Sequence, residues 1–198
     1  MTYVLGLASI LTFSCNSDND VDIIDLGVQF EENKLAISDF FEDRGINDSD
    51  TLDTAVRYSI TSLDPEGEVI EVGDIVMLDY VGYLIDGRLL GTTFQEVVDT
   101  TDVFDEPGDP LTLTHTSNGW AFNELFANRV GAFRTNGFKD GVTNILNMSS
   151  EGFTIGSSAI LGVPARETVV TINGTTSRLQ GVPADVIVYE FRLIGVVE

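Results

Sequence analysis

This chain has little cysteine, histidine or cationic charge. Its 198 residues hold one cysteine, Cys15, so no disulfide forms within a single molecule. Ten Lys and Arg stand against 32 Asp and Glu, a formal net charge of −22. Phosphate backbones are gripped by cationic side chains, so this balance excludes a nucleic-acid reader. The acid excess reads instead as a solvated surface that repels its neighbours. The sole histidine, His115, has no second His and no nearby Cys to join it, which excludes a zinc site of the usual kind. No GxGxxG or Gly-Lys-Ser pattern follows a strand-like segment, so nucleotide chemistry has no carrier. Asn47 to Asp53 lacks the central Gly and terminal Glu of a calcium loop and reads as a solvated linker. No apolar run reaches the ~20 residues that cross a bilayer.

What is present is enough for a core. Hydrophobic residues make up 43% of the chain, 12 of them Phe, which fits one domain with extensions. Residues 1–14 form a short apolar run of the length of a signal-peptide core and end at Cys15, which looks like the lipidated first residue of a bacterial lipoprotein. The alternative is a buried N-terminal segment with a free thiol. Asn16 to Asp20 is acidic with nothing to bury; it resembles the export tether of surface lipoproteins in some Gram-negative bacteria, and equally a plain flexible linker. Phe30, Leu35, Ile37, Phe40 and Phe41 recur at roughly helical spacing and predict a helix over Glu31 to Arg44, stopped by Gly45. The expected division is a signal peptide over 1–14, an acidic tether with a short helix over 15–54, and a folded domain over 55–198.

Within that domain, Ala55 to Ile60 has the β-branched and aromatic content of a strand. Asp74 to Tyr83 alternates so that Val76, Leu78 and Tyr80 share a buried face. Asp86-Gly87, between Leu84-Ile85 and Leu89-Leu90, predicts a hairpin with a type I′ turn. Two further strands are expected over Ala159 to Pro164 and Val186 to Ile194, the second with Ile187, Tyr189, Phe191 and Leu193 on one face. Between Phe138 and Met148, the residues Phe138, Val142, Ile145, Leu146 and Met148 fall at helical spacing. One helix against several antiparallel strands makes an α+β domain.

Four segments then carry a resemblance. These are Gly73 to Gly82, Leu84 to Gly87, Gly137-Phe138-Lys139-Asp140-Gly141, and Gly181 to Phe191, within a span from about Arg57 to Glu198. In that order they resemble the FKBP family of peptidyl-prolyl cis-trans isomerases. The resemblance implies a twisted antiparallel sheet wrapped around one short helix, with proline bound between them. Tyr80 matches the family's strand tyrosine, Leu90 its Phe before the acidic residue, Phe138 the aromatic, usually Trp, on the pocket floor, and Tyr189 the aromatic of the last strand. Val163-Pro164 and Gly181-Val182-Pro183-Ala184 match its Ile-Pro and Ile-Pro-Pro-Asn segments. By that likeness Tyr80, Leu90, Phe138 and Tyr189 are the catalytic walls. Thr135 (through a nearby backbone N–H), Val163 and Val182 contact substrate, and Cys15 carries lipid.

The chain also departs from the pattern. Gly91 stands where the family has a carboxylate, and Thr168-Val169-Val170 replaces its Ala-Tyr-Gly, removing a hydroxyl donor. Gln95 to Arg134 and Asn147 to Ile155 are longer than the family pattern. Phe122, Leu125, Phe126 and Phe133 in the first make either a lid over the pocket or a satellite core. Two functions follow from the resemblance: a prolyl isomerase assisting exported proteins, with weak turnover, or an FKBP-like peptide-binding or chaperone lipoprotein without catalysis. Either acts on proline-containing polypeptides, needs no cofactor or metal, and sits in the cell envelope as an outer-membrane lipoprotein, periplasmic or surface-exposed.

Overall fold

The computed structural model describes residues 26–122, 135–148, 152–167, 170–172, 175–177 and 185–197. Cys15, the 1–14 segment, Leu125, Phe126, Phe133 and Val182 lie outside the described residues.

Helix α1 runs Leu26–Asp43, longer at its start than the apolar spacing predicts. Its end is closed by two backbone bonds, Gly45 N–H to Glu42 O and Ile46 N–H to Phe41 O, each 2.8 Å, with Gly45 at φ +69°. This paired closure satisfies carbonyls that a helix end leaves open. The strands are β1 (Asp50–Thr51), β2 (Arg57–Ser62), β3 (Ile75–Leu84), β4 (Leu89–Thr92), β5 (Leu111–Thr116), β6 (Gly119–Phe122), β7 (Ser158–Val163), β8 (Val170–Ile172), β9 (Thr175–Ser177) and β10 (Ile187–Val197). Among the described residues, helices α2 (Gln95–Val98) and α3 (Asn136–Leu146) and a short 3-10 turn, Ala165–Glu167, complete the set. The main sheet is antiparallel, in the order β1-β2-β7-β10-β3-β5-β6, with β4 also paired to β3. β8 and β9 form a separate hairpin.

The fold is the α+β arrangement expected: a curled antiparallel sheet whose inner face packs against α3. The inner core joins Val76, Leu78 and Tyr80 of β3, Ile187, Tyr189, Phe191 and Leu193 of β10, and Phe138, Val142, Ile145 and Leu146 of α3. α3 lies close because Gly137 and Gly141 face the sheet. A Cβ on Gly137 would sit 2.5 Å from Val163 Cγ1, and one on Gly141 2.9 Å from a Leu161 methyl.

A second apolar cluster occupies the outer face, where Ile37 and Phe41 of α1 pack with Val81, Tyr83, Ile160 and Val188. The alternation along β3 therefore ends in a run buried on both faces, because α1 covers the side that two-residue periodicity assigns to solvent. Polar contacts lie on and beside the same helix. Arg44 pairs with Glu190 at 2.6 Å, Tyr83 donates its hydroxyl to Glu190, and Arg57 donates to Ser38 at 3.0 Å and to Ser49 at 2.9 Å.

The hairpin after β3 differs from the predicted type I′ turn. That turn needs positive φ at both central residues, and here Gly87 takes φ +89° while Asp86 does not. Gly87 N–H bonds Leu84 O at 2.8 Å and Leu84 N–H bonds Arg88 O at 2.9 Å, so three residues form the loop and glycine alone is left-handed. The Asp86 carboxylate accepts from Arg88 N–H at 2.9 Å, a local bond that favours a negative φ at Asp86.

Candidate functional site

The sheet register builds the site before any side chain is considered. Gly91, Gly82, Tyr189, Leu161 and Tyr58 lie abreast across β4, β3, β10, β7 and β2. Two adjacent glycines leave the β4–β3 side of that row without side chains, and the Tyr189 ring leans into the gap. A Cβ on Gly82 would meet its Cε1 at 3.1 Å. In the next inward-facing row, two residues along β3, stands Tyr80, opposite Phe191.

α3 supplies the third wall. Thr135 caps it, accepting the Phe138 N–H on Oγ1 at 3.2 Å, which fixes the first turn and the direction in which Phe138 leaves the helix. The Phe138 ring stands 4.6 Å from that of Tyr189, tilted by 44°, and 5.5 Å from that of Tyr80, tilted by 45°. Tyr80 and Tyr189 are 6.5 Å apart. All three spacings lie in the range where tilted aromatic pairs attract.

Of the residues singled out from sequence, Tyr80, Phe138, Tyr189 and Thr135 are thus brought together from three elements. Val163 is buried beneath the start of α3, against Gly137. Leu90 is half-buried on β4 and packs at the margin of the same core. Phe122, on β6, also packs there, with the Lys139 ammonium 5.9 Å from its ring centre. Cys15 and Val182 cannot be placed, being outside the described residues.

The cluster is closed: Tyr80 is 2% exposed, Phe138 0%, Tyr189 1% and Thr135 0%. Its polar atoms include hydroxyls, and Thr135 Oγ1 and the Tyr189 hydroxyl are 3.5 Å apart. Burial pushes the Tyr189 phenol far above its ordinary range; the Thr135 hydroxyl opposes that shift and the Tyr80 phenol adds to it. Tyr189 therefore stays protonated at neutral pH. Asp79, on the opposite face of β3, is raised by burial first, while its bond from the Thr93 hydroxyl at 2.8 Å and the Arg192 charge pull it down. What the arrangement offers is a dry, uncharged surround that carries hydroxyls. Among the described residues no group of three or more His, Cys, Asp or Glu side chains is placed to hold a metal ion. His115 is stacked on Trp120 at 4.3 Å, in the β5–β6 hairpin.

Two participants escaped the sequence reading. The Thr135 side chain had a signal, a capping residue three positions before the first apolar residue of the helix. Gly82 had one too, since an isolated glycine inside a strand marks a close approach.

No protein-family model matches the chain, and no curated protein matches it. Solved structures similar to it include a peptidyl-prolyl cis-trans isomerase from Pseudomonas syringae pv. tomato, with 13% identity, 87% of this chain and 96% of that one covered, and a TM-score of 0.45. FkpA from Escherichia coli has 16% identity, with 86% of this chain and 63% of that one covered and a TM-score of 0.42. AtFKBP13 has 18% identity, with 76% of this chain and 99% of that one covered and a TM-score of 0.41.

Proposed function

We propose that this protein is a peptidyl-prolyl cis-trans isomerase of low turnover, acting on proline-containing segments of exported proteins and held to the outer membrane by lipid on Cys15. The observation that carries the catalytic part is the meeting of the Tyr80, Phe138 and Tyr189 rings at 4.6 to 6.5 Å between α3 and the sheet. An Xaa-Pro bond turns over a barrier of ~18–20 kcal/mol, at whose top the amide is twisted and its resonance lost. No covalent bond breaks, so no acid, base or nucleophile is required. An apolar surround disfavours the polar planar amide relative to the twisted one, and a donor on the carbonyl fixes the geometry. Each ~1.4 kcal/mol of that discrimination is about tenfold in rate.

Low turnover is expected because Gly91 stands where the resembled family has a carboxylate and because the three rings are closed off from solvent. The same closure, with Gly91 in place of a carboxylate, favours a second reading: a module that holds extended proline-containing segments without isomerising them.

A chymotrypsin-coupled assay on proline tetrapeptides, run beside peptide binding by calorimetry, separates the two. Turnover above the uncatalysed rate upholds the enzyme, whereas binding with turnover at background leaves the second reading. The anchor is tested separately. Palmitate labelling should disappear in Cys15→Ala, and labelling that persists rules the anchor out.

A further inference from the structure

Cations are scarce on this chain, and most of those described are neutralised. Lys34, Arg44, Arg88, Arg166 and Arg192 each face a carboxylate at 2.6 to 3.8 Å. Arg57 stands apart. It is half-buried, and among the described residues no carboxylate pairs with it, in a protein that holds 32 Asp and Glu. A charge taken partly out of water without a counter-charge is disfavoured, so its surroundings call for an explanation. What Arg57 has instead is one ring and two hydroxyls. Its guanidinium carbon lies 5.2 Å from the centre of the Phe41 ring, Nε donates to Ser49 Oγ at 2.9 Å, and Nη1 donates to Ser38 Oγ at 3.0 Å. Three parts of the fold meet there, since Ser38 belongs to α1, Ser49 precedes β1 and Arg57 opens β2. A guanidinium carries five N–H donors, and a serine hydroxyl both accepts and donates. Nη2 therefore keeps both of its N–H groups, and each serine, having accepted from Arg57, keeps a proton to give. These four donors find no acceptor among the described residues.

We propose that Arg57, Ser38 and Ser49 form a binding site for a phosphate group, either free or carried by a lipid headgroup. A phosphate brings the missing counter-charge, and its oxygens point in different directions, so that one can take an Nη2 N–H while others take the hydroxyls. A carboxylate fits less well. Its two oxygens lie in one plane and pair best with two parallel N–H groups, but the Nε proton, which lies parallel to one on Nη2, is already given to Ser49. Asp39, Asp48 and Asp50 flank the two serines in sequence and repel any anion. Contacts at hydrogen-bond distance, rather than attraction from afar, therefore supply the affinity.

The test follows the Arg57 Nε–H resonance of the isotope-labelled full chain by NMR. Inorganic phosphate, titrated at constant ionic strength, should shift that resonance saturably, whereas chloride should not. Ser38→Ala and Ser49→Ala should each weaken phosphate binding about tenfold, the worth of one hydrogen bond to a charged group. Arg57→Lys keeps the charge and loses Nη2; it should abolish the saturable shift, read on the backbone amides of Ser38 and Ser49, with the fold checked by circular dichroism. Vesicles of phosphatidylcholine with and without phosphatidic acid distinguish the sources. Sedimentation with phosphatidic acid that Arg57→Lys loses upholds the site as one for a headgroup, and saturable phosphate binding without it upholds the site as one for free phosphate. Absence of both overturns the proposal and leaves these contacts as a structural tie between α1 and β2. An equal response to acetate, or phosphate affinity unchanged in both serine variants, overturns it as well. Should Arg57→Lys fail to fold, the two serine variants decide.

Discussion

The two faces of one strand, β10, are built on opposite principles. Inward, Ile187, Tyr189, Phe191 and Leu193 meet α3 through rings and aliphatic chains, and the ring cluster holds no charged side chain. Outward, Val188 lies under α1 while Glu190 pairs with Arg44 and accepts from Tyr83, and Arg192 lies over the Phe94 ring at 5.2 Å. Both faces bury apolar residues, so burial does not distinguish them. The difference lies in what accompanies it. The outer face adds an ion pair and hydroxyl bonds near solvent to the apolar contacts that hold one helix. The inner face excludes ions, the condition under which an uncharged surround discriminates between a flat and a twisted amide.

The sharpest way to break that contrast is to remove one large ring from each side. Phe138→Ala and Phe41→Ala both empty fully buried sites, and each should lower stability by ~3–5 kcal/mol in urea unfolding. Their functional effects should part. Phe138→Ala removes a wall of the cluster and should abolish proline-peptide binding and turnover together. Phe41→Ala should leave both intact in the fraction that remains folded at low temperature. Loss of binding in folded Phe41→Ala would mean that the outer helix holds the site in shape, and the two faces would no longer be separable.

The inner face was readable from the chain because each signal there was local and periodic. Val76, Leu78 and Tyr80 alternate, as do Ile187 to Leu193, and Phe138 to Leu146 repeat at helical spacing. Residues that meet across the fold, such as Phe138 and Tyr189, 51 positions apart, came together only through the family resemblance, since periodicity says which face a residue takes and not what it faces. The outer face was hidden for the same reason. Nothing in Val81, Tyr83 or Val188 announces that a helix beginning at Leu26 will cover them. The turn at Asp86-Gly87 was misjudged in type because the Asp86 carboxylate, by capping Arg88 N–H, stabilises a conformation that the dipeptide preference does not favour.

A smaller change sharpens the inner half of the comparison. Gly82→Ala places a methyl 3.1 Å from Tyr189 Cε1, so the ring must shift by a few tenths of an ångström. Overpacking of this kind should cost about 1–3 kcal/mol. It should weaken peptide binding more than its stability loss accounts for, because the displaced ring is a wall. An alanine variant with wild-type affinity would show that Tyr189 tolerates movement and does not set the geometry.

One property should be common to both faces. Burial holds the Tyr189 phenol above its ordinary range, and burial followed by Glu190 does the same for Tyr83. Both groups therefore keep their protons when folded at a pH where the unfolded chain, with phenols near about 10, releases them. The folded state then binds more protons than the unfolded one, so stability should fall as pH rises through about 10, with no contribution from these groups well below it. Tyr189→Phe and Tyr83→Phe should each flatten that decline in urea midpoints measured from neutral to alkaline pH. An unchanged slope in either would mean that its phenol ionises as freely in the fold as in the open chain.

The smallest effect belongs to the ion pair that most visibly marks the outer face. Arg44 and Glu190 lie 2.6 Å apart, but their side chains are 45% and 41% exposed, so solvent and salt screen their attraction. Pairs this exposed contribute roughly 0–1 kcal/mol. Glu190→Gln keeps an oxygen that accepts the Tyr83 hydroxyl and removes only the charge. The loss should therefore stay below about 1 kcal/mol, shrink further in high salt, and leave peptide binding untouched. A larger loss that persists in high salt would place the fastening of α1 in the charge itself. The packing assigns it to Ile37 and Phe41, whose burial does not depend on ionic strength.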